Sequence, residues 1–278
     1  MAIKVVTDSG SDIPSEVANE LGISVVPLYI YFGNTVLKDG VDIEPDELYR
    51  RLAGCPIYPT TTQPLPADFA STYNDLSKDA DAIVSIHLSN KMSGTYNAAL
   101  QGAEIANPKC GVHVVDSFSV SVGLGIVTVA AARAARAGGT LTEVLEETQK
   151  TISQSQIRGV LDTLGCLLKG GRITRARALV GTLLNVKPIL TARDGEIIQI
   201  GMTRSYNRGI EQLFDFVKKF PNVQEVAISH STVPEEARML KDRIVSIIDE
   251  KRIQICRIGA ALGVHGGPGT LLVAARGG

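Results

Sequence analysis

At roughly 150 residues per domain, a chain of 278 residues corresponds to about two domains, each able to bury its own core. Hydrophobic residues make up 44% of it and charged residues 21%, the usual globular balance, which excludes disordered, collagen-like and coiled-coil architectures. The 28 basic and 29 acidic side chains leave a net charge of −1, so no cationic field exists to hold a polyphosphate backbone and nucleic acid is not an expected partner.

Short β-branched runs at residues 3–7, 24–32, 82–88 and 112–116 alternate with helical periodicity at 67–77, 95–106 and 125–137. That rhythm predicts a parallel sheet sandwiched by helices, a three-layer α/β/α unit. From about residue 141 the texture changes. A charged helix over 141–154 leads into a glycine-containing basic cluster of Lys169, Arg172, Arg175 and Arg177, then into KPIL and EIIQI flanking the Asp194-Gly195 turn, which read as a β-hairpin. A helix at 206–220, a strand at 226–229, a helix at 235–250, a strand at 253–258 and an apolar run at 270–275 complete a second unit, a mixed-sheet α/β domain. The boundary falls near Thr151, giving an N-terminal domain of residues 1–150 and a C-terminal domain of residues 151–278.

The cysteines, Cys55, Cys110, Cys166 and Cys256, include no CxxC pair, so neither a zinc knuckle nor a redox dithiol is expected, and reduced thiols fit a cytoplasmic protein. The opening MAIKVVTDSG enters a strand directly without the features of a signal peptide. The longest uncharged stretch, residues 117–132, falls short of the roughly 20 apolar residues of a spanning helix, so no membrane span is expected.

No P-loop, HExxH, GxSxG or EF-hand signature occurs. Gly123-Leu124-Gly125 resembles the opening of a dinucleotide loop, but Thr128 stands where its third glycine belongs. Asp12, just before Pro14, reads as an acidic cap on the helix that follows rather than as a metal ligand. His87 and His113 lie in strand runs and read as core or edge residues, while the position of His230 at a strand end leaves its role open. Three segments fall where strands are expected to end, the usual place for ligands in open α/β sheets: Thr60 to Pro64, Ser89 to Thr95, and His265 to Gly269. At the second, the Ser93 hydroxyl and the Gly94 and Thr95 amides open a helix, an end that attracts anions; a plain helix cap is the alternative. At the third, glycines and a proline after His265 allow close backbone approach. An arginine beside Gly170-Gly171 can reach an anion or belong to a solvated helix face.

Taken in order, VTDSGSDIP, YPTTTQPLPADF, LSNKMSGTYNAA, VVDSFSVSVGLG, LLKGGRI, KPIL with its DG turn, and VHGGPG resemble the DegV family of bacterial proteins over essentially the whole chain. The resemblance implies two α/β domains burying a long-chain fatty acid. It also implies a carrier, not an enzyme, with no cofactor: the fatty-acid-binding subunit that serves a separate fatty acid kinase catalytic subunit. Matched motif by motif, the hydroxyl that binds the carboxylate is Thr61, with Thr62 and Gln63 beside it; the SGT segment supplies Ser93 and Gly94, and His265 and Arg172 sit near the same headgroup. Gly266 departs from the family, which commonly has a threonine there, and KPIL and Arg204 are less specific matches. The chemistry is consistent, because a carboxylate taken out of water needs hydrogen-bond donors, while each buried methylene of a tail contributes about 0.8 kcal/mol. Two rivals remain: a serine acyl hydrolase with Ser93 or Ser117 as nucleophile, His265 as base and Asp8 or Asp116 as orienter, and a regulatory module whose lipid is only structural.

Overall fold

A computed structural model describes residues 2–54, 57–172 and 186–278. Cys55, Arg175 and Arg177 lie outside the described residues.

In chain order the first half comprises β1 (Ile3–Asp8), α1 (Ser15–Leu21), β2 (Ile23–Val26), β3 (Tyr29–Phe32), β4 (Thr35–Lys38), α2 (Pro45–Leu52), β5 (Thr60–Thr62), α3 (Pro66–Leu76), β6 (Ala82–His87), α4 (Thr95–Ile105), β7 (Gly111–Asp116), α5 (Val122–Arg136) and α6 (Leu141–Gln154). Strands β2-β1-β6-β7 form a parallel sheet in that order. Every residue of β6 is buried, as a near-continuous apolar strand covered on both faces must be. Val5, Val84 and Ile86 pack on one face with Leu124 and Val127 of α5, and Val6 and Ile83 pack on the other with Phe69, Tyr73 and Ala98 of α3 and α4. The three layers are therefore helix, sheet, helix.

The second half comprises β8 (Ser155–Val160), α7 (Gly165–Lys169), β9 (Lys187–Arg193), β10 (Glu196–Thr203), α8 (Tyr206–Lys219), β11 (Val223–His230), α9 (Pro234–Ile244), β12 (Ile253–Arg257), α10 (Ala260–Gly266) and β13 (Leu271–Gly277). Its sheet runs β10-β9-β8-β13-β11-β12 and is mixed: β11 and β12 are parallel and the other pairs antiparallel. Helices α8 and α9 cover one face through Leu213, Val217 and Leu240. The opposite face meets α5, where Val122 and Ile126 pack on Ile157, Ala227 and Ala274.

Helix α5 thus lies between the two sheets, and Val122 through Ala132 are all buried, as expected for a helix apolar all round. Its glycines are packing devices: a Cβ on Gly125 would stand 2.7 Å from the Ser11 carbonyl oxygen. Gly123 and Gly125 therefore open a core helix and not a dinucleotide loop.

Three local expectations are corrected. Residues 24–32 are not one strand, because Pro27 has no N–H to continue a ladder, and the chain leaves the parallel sheet there. Strand β3 instead joins a three-stranded antiparallel sheet, β4-β3-β5. Thr60, Thr61 and Thr62, expected where another strand ends, form a strand of their own, β5, with Thr61 opposite Ile30. The helix expected over 235–250 ends at Ile244.

Candidate functional site: an apolar cavity with a polar mouth

Between the sheets lies a cavity whose atom-free space, including open solvent at its mouth, is about 960 Å³. Leu28, Leu88 and Val120 contribute to its walls from the first half, and Ile157, Leu190 and Leu272 from the second. Polar side chains gather at one end: Thr61, Thr62, Gln63, Ser93, Arg172 and His265 all line this space. An adjoining, solvent-open polar hollow is lined by Lys91, Gly94 and Glu196, and shares Ser93 and Arg172 with the cavity. Ser93 and Arg172 therefore stand where the apolar cavity opens into polar surroundings.

Thr61 is held by the β5–β3 ladder, and its Oγ1 lies 2.6 Å from Nε2 of His265. His265 occupies the last turn of α10, a seven-residue helix, and the glycine-rich turn expected after it follows, with Gly267 and Gly269 at positive φ. The helix carries the imidazole to β5, and Tyr58 Oη, donating to the Val264 carbonyl at 2.6 Å, ties the same helix end to the residues leading into β5. Ser93 lies in the turn after β6, where the Met92 and Ser93 amides both donate to the Ser89 carbonyl. Its hydroxyl lies 2.8 Å from Thr95 Oγ1 and accepts from the Thr95 amide at 3.3 Å, so it braces the start of α4 while facing the cavity. Gly94 fits against Gln63, whose Cδ would be 3.0 Å from a Cβ there; the threonine-rich and serine-glycine segments meet at this contact. Arg172 follows α7, donating from Nη1 to the Gly170 carbonyl at 2.6 Å. A Cβ on Gly170 would sit 2.1 Å from His265 Nδ1, so the glycine lets this turn close against the imidazole. Arg204 is not among the lining residues.

Burial, reinforced by the Arg172 guanidinium, brings the His265 imidazole down to about 4. The ring is neutral at physiological pH and carries one N–H. Its Nδ1 has no hydrogen-bond partner among the described residues, whereas Nε2 faces Thr61. With the proton on Nε2, the ring donates to Thr61 Oγ1 and frees the threonine hydrogen for a further acceptor. The mouth then offers the Thr61 and Ser93 hydroxyls and the Arg172 guanidinium to an anion.

The residues of a Ser-His-Asp hydrolase are not assembled here. Asp8 accepts from the Leu88 and Gly10 amides, and its Oδ2 lies 2.9 Å from His87 Nδ1. Asp116 accepts from the Asn90 and Phe118 amides, and Ser117 donates to the Ser119 carbonyl. Among the described residues no carboxylate therefore orients His265. The chain Asp8, His87, Ser85, Tyr73 is a continuous hydrogen-bond relay, but all four residues have 0% exposure, and Phe69 closes over His87 edge-on.

Asp12 does not cap α1. That helix has Pro14 at its N-cap with no side-chain bond, while Asp12, in left-handed backbone at φ 51°, accepts from the Gly259 amide at 2.8 Å and so serves α10, far away in sequence. Asp39, absent from the sequence reading, accepts from the Ala260 amide at 2.8 Å; nothing local distinguishes it from a turn aspartate. Among the described residues no group of three or more His, Cys, Asp or Glu side chains could hold a metal, and no helix is long and apolar enough to cross a membrane.

The fold and site define a class: an α/β protein of one parallel, one mixed and one small antiparallel sheet, closed around an apolar cavity with a polar mouth. Residues 2–276 match the family described as "Uncharacterised protein, DegV family". A DegV domain-containing protein of Caldanaerobacter subterraneus subsp. tengcongensis is 36% identical over 272 residues, covering 96% of this chain and 95% of that one. The chain belongs to the DegV family. Among solved structures, the fatty-acid-binding DegV family protein of Thermus thermophilus is similar at a TM-score of 0.92, with 31% identity and 100% of both chains covered. A DegV family protein of Ruminococcus gnavus, solved with vaccenic acid, is similar at 0.89, with 26% identity and 99% of each chain covered.

Proposed function

We propose that this protein binds a long-chain fatty acid, with the tail in the cavity and the carboxylate at Thr61, Ser93, His265 and Arg172, with Thr62 and Gly94 adjoining, and presents the acid to a separate fatty acid kinase. The observation that carries the reading is the gathering of these polar groups at one end of a cavity whose walls are mainly apolar. The fatty-acid-binding relatives support it. A dozen buried methylenes contribute on the order of 10 kcal/mol before ordering costs, so the tail supplies affinity and the donors at the mouth set the register. The shared position of Ser93 and Arg172 between the cavity and the polar hollow leaves the carboxylate reachable by a partner's active site. In this division of labour residues 1–150 carry the Thr61 and Ser93 loops, and residues 151–278 enclose the acyl chain and lend His265 and Arg172 to the headgroup. Catalysis belongs to the kinase, and no cofactor is needed. Native mass spectrometry of the purified protein, followed by solvent extraction, tests the reading: one fatty acid per chain is expected, and its absence together with no binding of added acid refutes it. Acyl phosphate formation on adding a kinase subunit tests the presenting role.

A further inference from the structure

The N-terminus of α10 is built in an unusual way. The first amides of a helix lack intrahelical partners and are ordinarily capped by the side chain of the preceding residue. Here that residue is Gly259, which has none, and the amides of Gly259 and Ala260 are taken by two carboxylates from the other half of the chain, Asp12 Oδ1 and Asp39 Oδ1, each at 2.8 Å. Both aspartates are buried, at 7% and 4% exposure. Gly259 lies between them: a Cβ there would stand 3.3 Å from Asp12 Oδ1 and 3.2 Å from Asp39 Oδ2.

Each carboxylate is itself anchored to the cavity wall. Ser121, a lining residue, donates to Asp12 Oδ2 and also contacts Ser229 Oγ. Asp39 Oδ2 accepts from Ser9 Oγ at 2.8 Å, and Ser9 Oγ accepts the amide of the lining residue Leu28 at 3.1 Å. At 1.5 Å per residue the seven-residue helix is about 10 Å long, and its far end bears His265.

We infer that Asp12 and Asp39 are positioning residues for the headgroup site: by clamping the N-terminus of α10 to the first half of the chain they set where His265 meets Thr61, and so how well the mouth distinguishes a carboxylate from an uncharged headgroup. The inference rests on the proposed fatty-acid reading and adds two residues that lie outside the cavity lining. Neither touches the ligand; they act through the helix.

The test compares stearic acid with stearyl alcohol on delipidated protein. The two share a tail, so their affinity ratio isolates the headgroup. In the wild type the acid is preferred; if the wild type binds neither, the fatty-acid reading itself fails. The Asp12→Ala and Asp39→Ala variants are expected to lose roughly tenfold of that preference, the equivalent of one misplaced hydrogen bond, and to move the His265 Cε1–Hε1 signal in NMR. Asp12→Asn and Asp39→Asn, which keep an acceptor oxygen for the helix amides, are expected to restore most of both. Should the alanine variants not fold, Gly259→Ala, whose new methyl presses on both carboxylates, is expected to lower the ratio and shift the same signal. Folded variants that keep the wild-type ratio and the wild-type His265 signal overturn the inference, as does an equal loss of acid and alcohol affinity.

Discussion

Thr61→Val replaces one hydroxyl by a methyl on a strand that accommodates β-branched residues, leaving the backbone pairing of Thr61 with Ile30 untouched. In the proposed complex the Thr61 oxygen accepts from His265 Nε2 at 2.6 Å and donates to the carboxylate. Its removal leaves two polar groups without that partner at a part-buried position. One buried unsatisfied group costs about 1–3 kcal/mol, and each 1.4 kcal/mol is about tenfold in affinity, so the variant should bind a long-chain acid about 5- to 150-fold more weakly. Because two groups lose their partner, the upper part of that range is expected. The assay is displacement of a fluorescent fatty acid from delipidated protein, with thermal unfolding as the control for folding. An affinity within twofold of wild type, in a variant that melts at the wild-type temperature, refutes the relay through Thr61.

Three other perturbations probe separate parts of the site. Arg172→Ala should weaken acid binding and phosphoryl transfer more than tail binding, by an amount that shrinks as salt screens the part-buried guanidinium; a salt-independent loss would point to a structural role. Ala192→Phe places a ring at the cavity wall and should shift preference to shorter acids, at about 0.8 kcal/mol or roughly fourfold per methylene excluded; an unchanged chain-length series would place the tail elsewhere. The pH dependence of stability has a definite sign. Burial raises the Asp12 carboxyl to about 8, so the stability tied to its protonated form is complete below its ordinary value near 3.8 and is lost as pH rises through about 8, with a slope of up to about 1.4 kcal/mol per pH unit. Asp39, raised to about 6, completes its loss earlier, and the depressed His265 acts oppositely, losing stability as pH falls from about 6.5 through about 4. Between pH 6 and 9 the wild-type melting temperature should therefore fall and that of Asp12→Asn should fall less; parallel curves would show that Asp12 does not titrate there.

Much of this protein was legible in its sequence because the signals were local. The parallel strands β1, β6 and β7 appear as β-branched runs, α4 and α8 as periodic apolar positions, and the β9–β10 hairpin as two strands about an Asp-Gly turn. Each follows from backbone preferences and side-chain alternation within a few residues. The residues at the cavity mouth were legible for another reason: Thr61, Ser93, Arg172 and His265 stand in short motifs whose order matches a family. Composition set one further expectation: a near-neutral chain supplies no overall cationic field to hold a polyanion.

Tertiary structure alone decided the rest. Whether residues 24–32 stay in one sheet depended on where the chain goes after Pro27, and the three threonines became a strand only because β3 was there to pair with them. The residues of β5 and α10 lie about 200 positions apart, so no periodicity links Thr61 to His265. Asp12 is the clearest case: next to a proline and a helix start it has every local mark of a cap, and it does cap a helix, but one folded against it from the far end of the chain. A carboxylate accepts from whichever amides the packed core leaves unpaired beside it, and that pairing is settled when the two sheets close on α5.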